Sequence, residues 1–278
     1  AGIEAFAELE DMAAGALRYF GTAASGGITK ADMRWVLVEA TSRILPEVST
    51  ELGAYTAERL TERGMEVYLN TRLTSCVDGH VVLDDGTTFD ADTIVWTAGV
   101  RASPMLADTD LPRDDKGRLP CNTQLQVTGV DGALSGAWSA GDCAAVPDLT
   151  KPGRLCGPSA QHAVRQARTL GDNLAATVRG RPLSTYRHAY AGSVASLGLH
   201  KGVAEVYGIK LRGYPAWFMH RTYHWSRVPT TNRKFRVALD WTLALFFRRD
   251  LVSLGQLQNP RGAFSDAAAE HETGPPTS

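Results

Sequence analysis

The stretch Gly136-Ala137-Trp138-Ser139-Ala140-Gly141-Asp142-Cys143 is the part of the chain from which the fold can best be predicted. A helical pattern that starts at Pro158-Ser159-Ala160-Gln161 follows it. Small and apolar residues that run into Gly-Asp predict a buried strand that ends at the mouth of a nucleotide site. The glycine lets a ligand approach the backbone, and the carboxylate can accept hydrogen bonds from a polyol. Because a bare Gly-Asp pair more often marks a simple strand-end turn, the prediction depends on the helix start that follows.

The residues before this stretch alternate between helical and strand patterns. Residues 3–17 and 49–64 have the apolar spacing of amphipathic helices, and the glycines of 21–27 indicate a loop. Apolar runs predict parallel strands at 35–39 and 65–69, an antiparallel meander at 73–89 and a buried strand at 93–99. This order predicts the α/β fold class, with a Rossmann-type parallel sheet that carries an antiparallel meander.

A Rossmann unit binds a dinucleotide through a glycine-rich turn and an acid near the end of its second strand. Gly2 fits the third glycine of such a turn, although the first strand and the first two glycines are missing from the chain. Glu39 ends the strand at 35–39, where an acid would accept from ribose hydroxyls and disfavour a 2′-phosphate. The alternative is a solvated strand-end glutamate. The usual gap is about 20 residues, whereas Gly2 and Glu39 are 37 positions apart, so we expect an insertion at 19–32.

The helix after the Gly-Asp stretch is predicted to begin at the capping residue Ser159. Its unpaired N–H groups and positive dipole end would suit the pyrimidine edge of a flavin, which gains negative charge on reduction. An ordinary amphipathic helix is the alternative. Its inward face is predicted to consist of Ala160, Ala163, Val164, Ala167, Leu170 and Leu174.

Composition limits the class of protein. With 278 residues and 44% hydrophobic residues the chain can form one large domain or two smaller ones. The net charge of −1 is unevenly distributed, because residues 201–249 hold ten basic and two acidic residues. This asymmetry suggests that one end meets an anionic surface.

The four cysteines show no CxxC or metal-ligand spacing, which indicates reduced structural thiols in a cytoplasmic protein and no metal. Neither a signal peptide nor an apolar run of about 20 residues occurs.

The basic end is also rich in aromatic residues. Residues 192–198 and 202–210 predict a β-hairpin, and two helices follow, separated at Pro229, the second at 232–250. Aromatic and leucine residues flanked by Arg and Lys are typical of helices that lie in a membrane interface. The alternative is a helix pair that caps the domain or forms a homodimer contact. No RNA- or DNA-binding module surrounds these residues, so a nucleic-acid partner is not expected.

Taken together, these motifs resemble the type II NADH:quinone oxidoreductases (alternative NADH dehydrogenases), a group of two-dinucleotide flavoproteins. The motifs that carry the resemblance are Gly2-Ile3-Glu4, Arg43-Ile44-Leu45-Pro46, Trp96-Thr97-Ala98-Gly99-Val100, Gly141-Asp142-Cys143-Ala144, Ala160-Gln161 and Leu199-His200-Lys201-Gly202-Val203-Ala204. The resemblance implies FAD and NAD as cofactors, NADH and quinone as substrates, and no proton pumping. It also implies peripheral attachment to the cytoplasmic face of the cell membrane through the C-terminal amphipathic helices.

The resemblance assigns five residues to NADH. Gly2 would pack the NADH-binding turn, and Glu39 would hold the NADH ribose. Glu4 would lie near the nicotinamide and the flavin and take part in electron or proton handling. Ala98 and Gly99 would line the passage between the two cofactors.

Five further residues are assigned to the flavin and quinone. Asp142, beside Gly141, would bind the ribityl chain of FAD, and Ala160 and Gln161 would face flavin and quinone. Lys201 would approach the isoalloxazine ring, where a cation can stabilise reduced, anionic flavin.

The sequence departs from the family in two places. Some relatives carry His or Gln four residues after Gln161, where this chain has Arg165, followed by Gln166, and His162 is a further difference. The quinone-side proton donor therefore stays open. The chain also lacks the amino-terminal half of the FAD domain and does not begin with Met, so we expect a fragment of a longer protein.

The predicted domains are an NADH-binding unit at 1–100, the C-terminal part of an FAD-binding domain at 101–190, a β-hairpin with membrane-associating helices at 191–264, and a disordered tail at 265–278. Two alternatives remain in the enzyme class. A ferredoxin reductase would not need the aromatic basic helices, and many disulfide reductases use a C-terminal His-Pro pair that does not occur here. A non-catalytic membrane-associating module is the third alternative.

Overall fold

The computed structural model describes residues 2–24, 27–188 and 192–247. Its first elements form an α/β unit with a meander. They are α1 (Gly2–Ala24), β1 (Val36–Glu39), α2 (Thr50–Glu62), β2 (Glu66–Leu69), β3 (Leu73–Ser75), β4 (His80–Leu83) and β5 (Thr88–Asp90). Strands β1 and β2 pair in parallel, and β3, β4 and β5 form an antiparallel sheet, as the sequence predicts. Helix α1 extends to Ala24, into the predicted loop.

Local sequence explains why α2 and the meander form where they do. Ser49 stands at the N-cap position of α2 without a capping hydrogen bond from its side chain, and Gly64, with φ 88°, ends the turn that follows the helix. A positive φ favours glycine, because the Cβ atom of any other residue would clash with the backbone in that conformation. On the inner face of α2, the side chains of Leu52 and Leu60 are completely buried. In the meander, Gly86 takes the same left-handed conformation at its predicted turn, with φ 89°.

The predicted buried strand at 93–99 is wrong. These residues form no strand, and the large side chains of Val95 and Trp96 are more than half exposed. A strand needs a hydrogen-bonded neighbour on at least one edge, and β1 and β2 pair only with each other among the described residues. Residues 93–99 nevertheless pack closely against the start of α1. A Cβ atom added to Gly2 would lie only 2.5 Å from Thr97 Oγ1.

The middle of the chain forms a second, smaller unit. Its elements are β6 (Leu119–Pro120), β7 (Gln126–Gly129), β8 (Gly132–Trp138), β9 (Ala144–Ala145) and α3 (Ala160–Val178). Strand β8, which precedes the Gly-Asp turn, is mostly exposed rather than buried as predicted. It pairs with β7 alone among the described strands, so its other edge lacks a strand neighbour. The core of this unit contains Leu106, Leu119, Cys121, Leu125, Val127, Ala144, Val146, Cys156 and Tyr186.

The predicted inward face of α3 is confirmed for Leu170, which packs against this core, and for Ala163, which lies against Gly141, but it is wrong for the other four residues, which are exposed. Val164 is 67% exposed and Leu174 is 42% exposed, whereas the polar residues Gln166 and Asn173 are both 1% exposed. Asn173 Nδ2 donates to the carbonyl oxygens of Gln124 and Ser184 at 2.8 and 2.9 Å, and its Oδ1 accepts from Ser184 N at 2.8 Å. Buried amides are tolerated when they satisfy backbone groups in this way, and apolar spacing cannot reveal such a face.

The last described elements are a three-stranded antiparallel sheet and two helices. They are β10 (Gly192–Ser196), β11 (Gly202–Val206), β12 (Ile209–Arg212), α4 (Tyr214–Arg227) and α5 (Thr231–Leu243). The predicted hairpin is confirmed and gains β12, because a turn at Tyr207-Gly208 divides the second predicted strand. Pro229 lies between the helices, as predicted. The predicted tail at 265–278 and residues 248–250 lie outside the described residues.

The largest core joins the two ends of the described chain. It contains Ile3, Ala7, Ile44, Leu45, Val48, Leu52, Leu60, Met65, Ala195, Leu197 and Val203. Beside it, Arg63 at the end of α2 donates to Leu197 O at 2.5 Å and pairs with Glu10 and Asp11 of α1. The α/β unit and the β10–β12 sheet therefore share one core.

Candidate functional site

The Gly-Asp motif forms a turn that is fixed on α3. Residues Gly141–Cys143 make one turn of 3₁₀ helix, and Gly141 N donates to Gln166 Oε1 at 2.7 Å. Gly141 has φ 73°, and a Cβ there would lie 3.4 Å from Ala163 Cβ. The buried amide of Gln166 thus positions the turn, and Asp142 is left exposed beside the first half of α3. An exposed carboxylate in this place can accept hydrogen bonds from hydroxyl groups.

Gln161 connects the start of α3 to the start of β10. Ser159 caps the helix by accepting from His162 N at 3.2 Å, as predicted. Gln161 Nε2 donates to Gly192 O at 3.2 Å, and its Oε1 lies 3.5 Å from His188 Nε2. Gln161 and His162 line a cavity of about 360 Å³, together with the cationic side chains of Lys151 and Arg154. Ala160, the first residue of the helix, is exposed next to this cavity.

A hydrogen-bonded ring pair lies behind Gln161. His162 Nδ1 is 2.8 Å from the hydroxyl of the buried Tyr186. Burial raises the pKa of Tyr186 to about 12. The pKa of His162 is lowered, mainly by burial, so the imidazole is biased toward its neutral form near pH 7.

Glu4 lies at the other end of β10. Its Oε1 accepts from Ser196 N at 3.2 Å and lies 2.9 Å from His220 Nε2 of α4. Burial acts to raise the pKa of Glu4, but the hydrogen bonds from His220 and Ser196 outweigh it and the net pKa is lowered. Gly192 and Ser196 are the two ends of β10. At about 3.3 Å per residue, the backbone contacts of Gln161 and Glu4 are roughly 13 Å apart.

Lys201 lies in the turn between β10 and β11, close to Asp11 on α1. Its Nζ is 3.9 Å from Asp11 Oδ1, and Leu199 N donates to the same carboxylate at 2.5 Å. Gly198, with φ 97°, allows this approach, since a Cβ there would meet Asp11 Oδ2 at 2.1 Å. Asp11 in turn contacts Arg63. The turn that carries Lys201 is therefore held from α1 by Asp11.

The residues predicted to hold NADH lie at the edge of the α/β unit. Glu39 ends β1, and its Oε1 accepts from Thr41 N and Thr41 Oγ1, both at 2.8 Å. Ala98 and Gly99 are exposed and follow Thr97, the residue against which Gly2 packs. Ligands of parallel α/β sheets bind beyond the carboxyl ends of the strands, which is where Glu39 stands.

The structure thus brings the predicted residues together in three groups. Asp142, Ala160 and Gln161 lie along the first part of α3, and β10 joins Gln161 to the second group, Glu4 and Lys201. The third group contains Gly2, Glu39, Ala98 and Gly99. Asp142 is not among the residues that line the cavity beside Gln161 and His162.

The chain matches the family model of the pyridine nucleotide-disulphide oxidoreductases over residues 13–167. It belongs to this family. The match includes β1, the meander and the Gly141-Asp142 turn, and ends within α3.

Relatives within this oxidoreductase family confirm the resemblance predicted from the motifs. The chain is 34% identical to the type II NADH:quinone oxidoreductase of Haemophilus influenzae over 197 residues, 70% of this chain and 42% of that protein. It is 30% identical to the type II NADH:quinone oxidoreductase of Staphylococcus aureus (70% and 48%), and 31% identical to the demethylphylloquinone reductase NdbB of Synechocystis sp. (66% and 44%). The chain spans less than half the length of these relatives.

Solved structures support the fold. The structure of NDH2 from Plasmodium falciparum in complex with NADH superposes with a TM-score of 0.77 at 14% identity and covers 91% of this chain and 65% of that one. A ferredoxin reductase from Rhodopseudomonas palustris gives a TM-score of 0.51 at 23% identity, covering 63% and 42%. At these identities the similarity concerns the fold alone.

Three residues that shape the candidate site were not assigned a role from the sequence. Gln166 positions the Gly-Asp turn, Asp11 holds the Lys201 turn, and His220 pairs with Glu4. The sequence carries one usable signal, since His220 and His224 are four positions apart in a predicted helix and so share a face. The partners of Gln166 and Asp11 are distant in sequence and leave no local pattern.

The helices α4 and α5 expose a large part of their apolar residues. The exposed large apolar side chains of this region are Tyr214, Phe218, Tyr223, Phe235, Leu239, Leu243, Leu245, Phe246 and Phe247. Arg221 lies over the rings of Trp217 and Trp241, 5.1 and 4.2 Å from their centroids, and so joins the two helices. Among the described helices, none is long and apolar enough to cross a membrane.

Proposed function

We propose that this chain is part of an FAD-dependent oxidoreductase that passes electrons from NADH to a membrane quinone without pumping protons. The observation that carries the proposal is the connection of Gln161 and Glu4 through β10, with Lys201 in the next turn. In this arrangement an amide and a carboxylate contact the two ends of β10, and a cation lies in the turn that follows the strand.

The residues around Asp142 fit FAD. Gly141 leaves room beside α3, Asp142 offers a carboxylate to the ribityl hydroxyls, and exposed Ala160 begins the helix whose dipole favours developing negative charge. FAD, when bound, supplies the redox chemistry, since it accepts a hydride from NADH and delivers electrons to quinone. The protein supplies distance, orientation and charge. Lys201 would favour the reduced cofactor electrostatically, and Gln161 would donate from its amide to the flavin or quinone carbonyls.

The edge of the α/β unit suits NADH. Thr41 orients the carboxylate of Glu39 at the carboxyl end of β1, where it can accept from the ribose hydroxyls. Gly2 keeps the start of α1 close to Thr97, and Ala98 and Gly99 follow directly without bulk. We assign residues 1–100 to NADH binding, 101–190 to the C-terminal part of the FAD-binding domain, and 191–264 to the hairpin and membrane-associating helices.

The two half-reactions test this function separately. Anaerobic NADH should bleach the oxidised-flavin absorbance of the full-length, FAD-loaded protein that contains this chain, because the hydride reduces the flavin, and added quinone should restore it. Ferredoxin in place of quinone should restore it more slowly if the family resemblance gives the correct acceptor. Flavin absorbance that persists after NADH addition would rule the proposal out. Restoration by ferredoxin but not by quinone would favour the ferredoxin reductase alternative.

We further propose that α4 and α5 attach the protein to the cytoplasmic face of the cell membrane. Phe235, Leu239 and Leu243 recur every four residues on α5 and are 45–70% exposed, so they form an apolar stripe. The same pair of helices carries Arg227, Arg233 and Arg236, which would lie at headgroup level. Each such residue near an anionic leaflet contributes about 1 kcal/mol.

Serine at Phe235, Leu239 and Leu243 together is expected to weaken vesicle binding at least 100-fold, because each buried apolar side chain contributes about 1.5–3 kcal/mol. Sedimentation with vesicles of phosphatidylglycerol and phosphatidylcholine measures this. The control replaces three exposed valines elsewhere, Val77, Val130 and Val178, by serine and should bind like the wild type. A wild type that does not sediment with vesicles but dimerises in analytical ultracentrifugation would show instead that these helices form a homodimer contact.

A further inference from the structure

The loop that connects β1 to α2 has a fixed backbone. Near its start, Asn70 N donates to Thr41 O at 2.9 Å. Farther along, Ile44 and Leu45 are 2% and 9% exposed and belong to the largest core. Because the backbone is anchored at both points, the rotamers of the polar side chains decide what the loop presents to a ligand.

Thr41 fixes the carboxylate of Glu39 and also contacts the backbone of Arg43. Its N and Oγ1 atoms both lie 2.8 Å from Glu39 Oε1, so Oε2 can accept from a ribose hydroxyl. The same Oγ1 lies 2.9 Å from Arg43 O. One hydroxyl group therefore separates the carboxylate from the backbone of Arg43, and an arginine side chain, with its long stem and planar guanidinium, can cover this separation.

The guanidinium of Arg43 is nevertheless bound elsewhere. Nη2 donates to Pro46 O at 2.7 Å, and Nη1 donates to Oγ1 of Thr50, the first residue of α2, at 3.0 Å. Among the described residues, it forms no ion pair with the carboxylate of Glu39. Arg43 is the only Lys or Arg in residues 40–50 of the sequence. The one cation of this loop is therefore held at α2.

This placement matters because NADPH differs from NADH only by a phosphate on the adenosine ribose. An acid at the end of a Rossmann strand binds the 2′-hydroxyl of NADH, whereas a nearby arginine accommodates the 2′-phosphate of NADPH. Arginine suits this task because its planar fork binds phosphate through two N–H groups. The loop contains both residue types, but it presents only the acid.

We propose that Arg43 is a specificity-determining residue, whose guanidinium Pro46 and Thr50 keep away from the ribose end of the site so that NADPH is rejected. Discrimination then has two parts, as is common where two similar ligands must be separated. Glu39 repels the 2′-phosphate, and the loop provides no cation to bind this phosphate. The proposal rests on the proposed function, which places the NADH ribose at Glu39, and adds a role for the two contacts of Arg43.

Substitutions at Glu39 and Thr50 test this role in the full-length, FAD-loaded protein that contains this chain. Calorimetric titration with NAD⁺ and NADP⁺ measures binding without reducing the flavin. The wild type should bind NAD⁺ at least about 100-fold more tightly than NADP⁺, because Glu39 repels the phosphate. Glu39→Gln should reduce this ratio about tenfold. Adding Thr50→Val, which removes the acceptor of Arg43 Nη1, should tighten NADP⁺ binding about tenfold more, because the freed guanidinium gains a hydrogen bond to a charged group.

Three further variants in the Glu39→Gln background assign this gain to a residue. Thr50→Ser keeps the hydroxyl and should bind NADP⁺ like Glu39→Gln alone, as should Thr61→Val near the other end of α2. Arg43→Leu, added to Glu39→Gln and Thr50→Val, should abolish the gain in NADP⁺ affinity. NAD⁺ affinity should stay the same throughout this series, which checks that the loop remains folded.

The role of Arg43 would be overturned by any of three results. These are a Thr50→Val substitution that leaves NADP⁺ affinity unchanged, a gain that survives Arg43→Leu, and a wild type that binds NAD⁺ and NADP⁺ equally tightly. A wild type that binds neither nucleotide would instead contradict the proposed function, and the role of Arg43 with it.

Discussion

Asp142→Ala, made in the full-length protein that contains this chain, will leave the purified protein with little bound flavin. In the proposed complex the carboxylate accepts hydrogen bonds from the ribityl chain, and a hydrogen bond to a charged group contributes about 1.5–3 kcal/mol. Its loss corresponds to an affinity for FAD that is about 10- to 150-fold weaker. The flavin-to-protein ratio after gel filtration and fluorescence titration with FAD measure the effect.

Two features make this substitution a clean test. Asp142 is exposed and lies in a 3₁₀ turn that Gly141 and Gln166 hold in place, so we expect the thermal unfolding midpoint to stay near the wild-type value. Asp131, an exposed aspartate in the turn between β7 and β8, is the control, and Asp131→Ala should retain flavin. Wild-type flavin content in Asp142→Ala would mean that this carboxylate does not bind the cofactor.

Arg63→Met will lower the free energy of unfolding by about 3–5 kcal/mol, the usual cost of removing one partner from a buried ion pair. Glu10, only 3% exposed, loses the guanidinium that pairs with it, and the carbonyl oxygens of Ala7 and Leu197 lose their donor. Lys30, 2.8 Å from Glu10 in the wild type, compensates for part of the charge. Urea unfolding followed by circular dichroism measures the change.

The comparison for this prediction is Arg59→Met, on the same helix. Arg59 pairs with Glu62, but both side chains are substantially exposed, so we expect a loss of no more than about 1 kcal/mol in the free energy of unfolding.

Burial raises the pKa of Glu10, but Lys30 and Arg63 lower it more, so its folded-state pKa lies below the ordinary value. The stabilisation of the folded state by the ionised Glu10 carboxylate is fully present above the ordinary carboxyl pKa. It is lost as the pH falls through the pKa that Glu10 has in the folded state. The penalty for Arg63→Met should therefore shrink in acid, and an equal penalty in both variants at neutral pH would contradict this account.

The order of helices and strands could be predicted because it depends on local sequence patterns. Apolar spacing, the Ser159 cap and the left-handed glycine at Gly86 each act over a few residues. The exposed stretch at 93–99 could not be predicted, because whether an apolar run forms a strand depends on a neighbouring strand. Most of the inward face of α3 was missed for a related reason, since its buried amides are satisfied by backbone groups that are distant in sequence.

The candidate site shows the same limit. Gly141, Asp142 and Gln161 stand out because motifs surround them, and the structure brings them to one part of α3. The contact between Glu4 and His220 joins residues 216 positions apart, from opposite ends of the described chain, so only the folded structure reveals it. Motifs therefore suggest candidate contacts with cofactors, whereas the surrounding groups that position these residues can be identified only from coordinates.

A crystal structure of the protein with FAD and NADH bound tests the central claim most directly. The account predicts that ribityl hydroxyls lie about 2.7–3.0 Å from the Asp142 carboxylate, with the isoalloxazine ring beside Gln161 and Lys201 and the nicotinamide near Glu4. A flavin bound elsewhere, with Asp142 facing solvent, would contradict it.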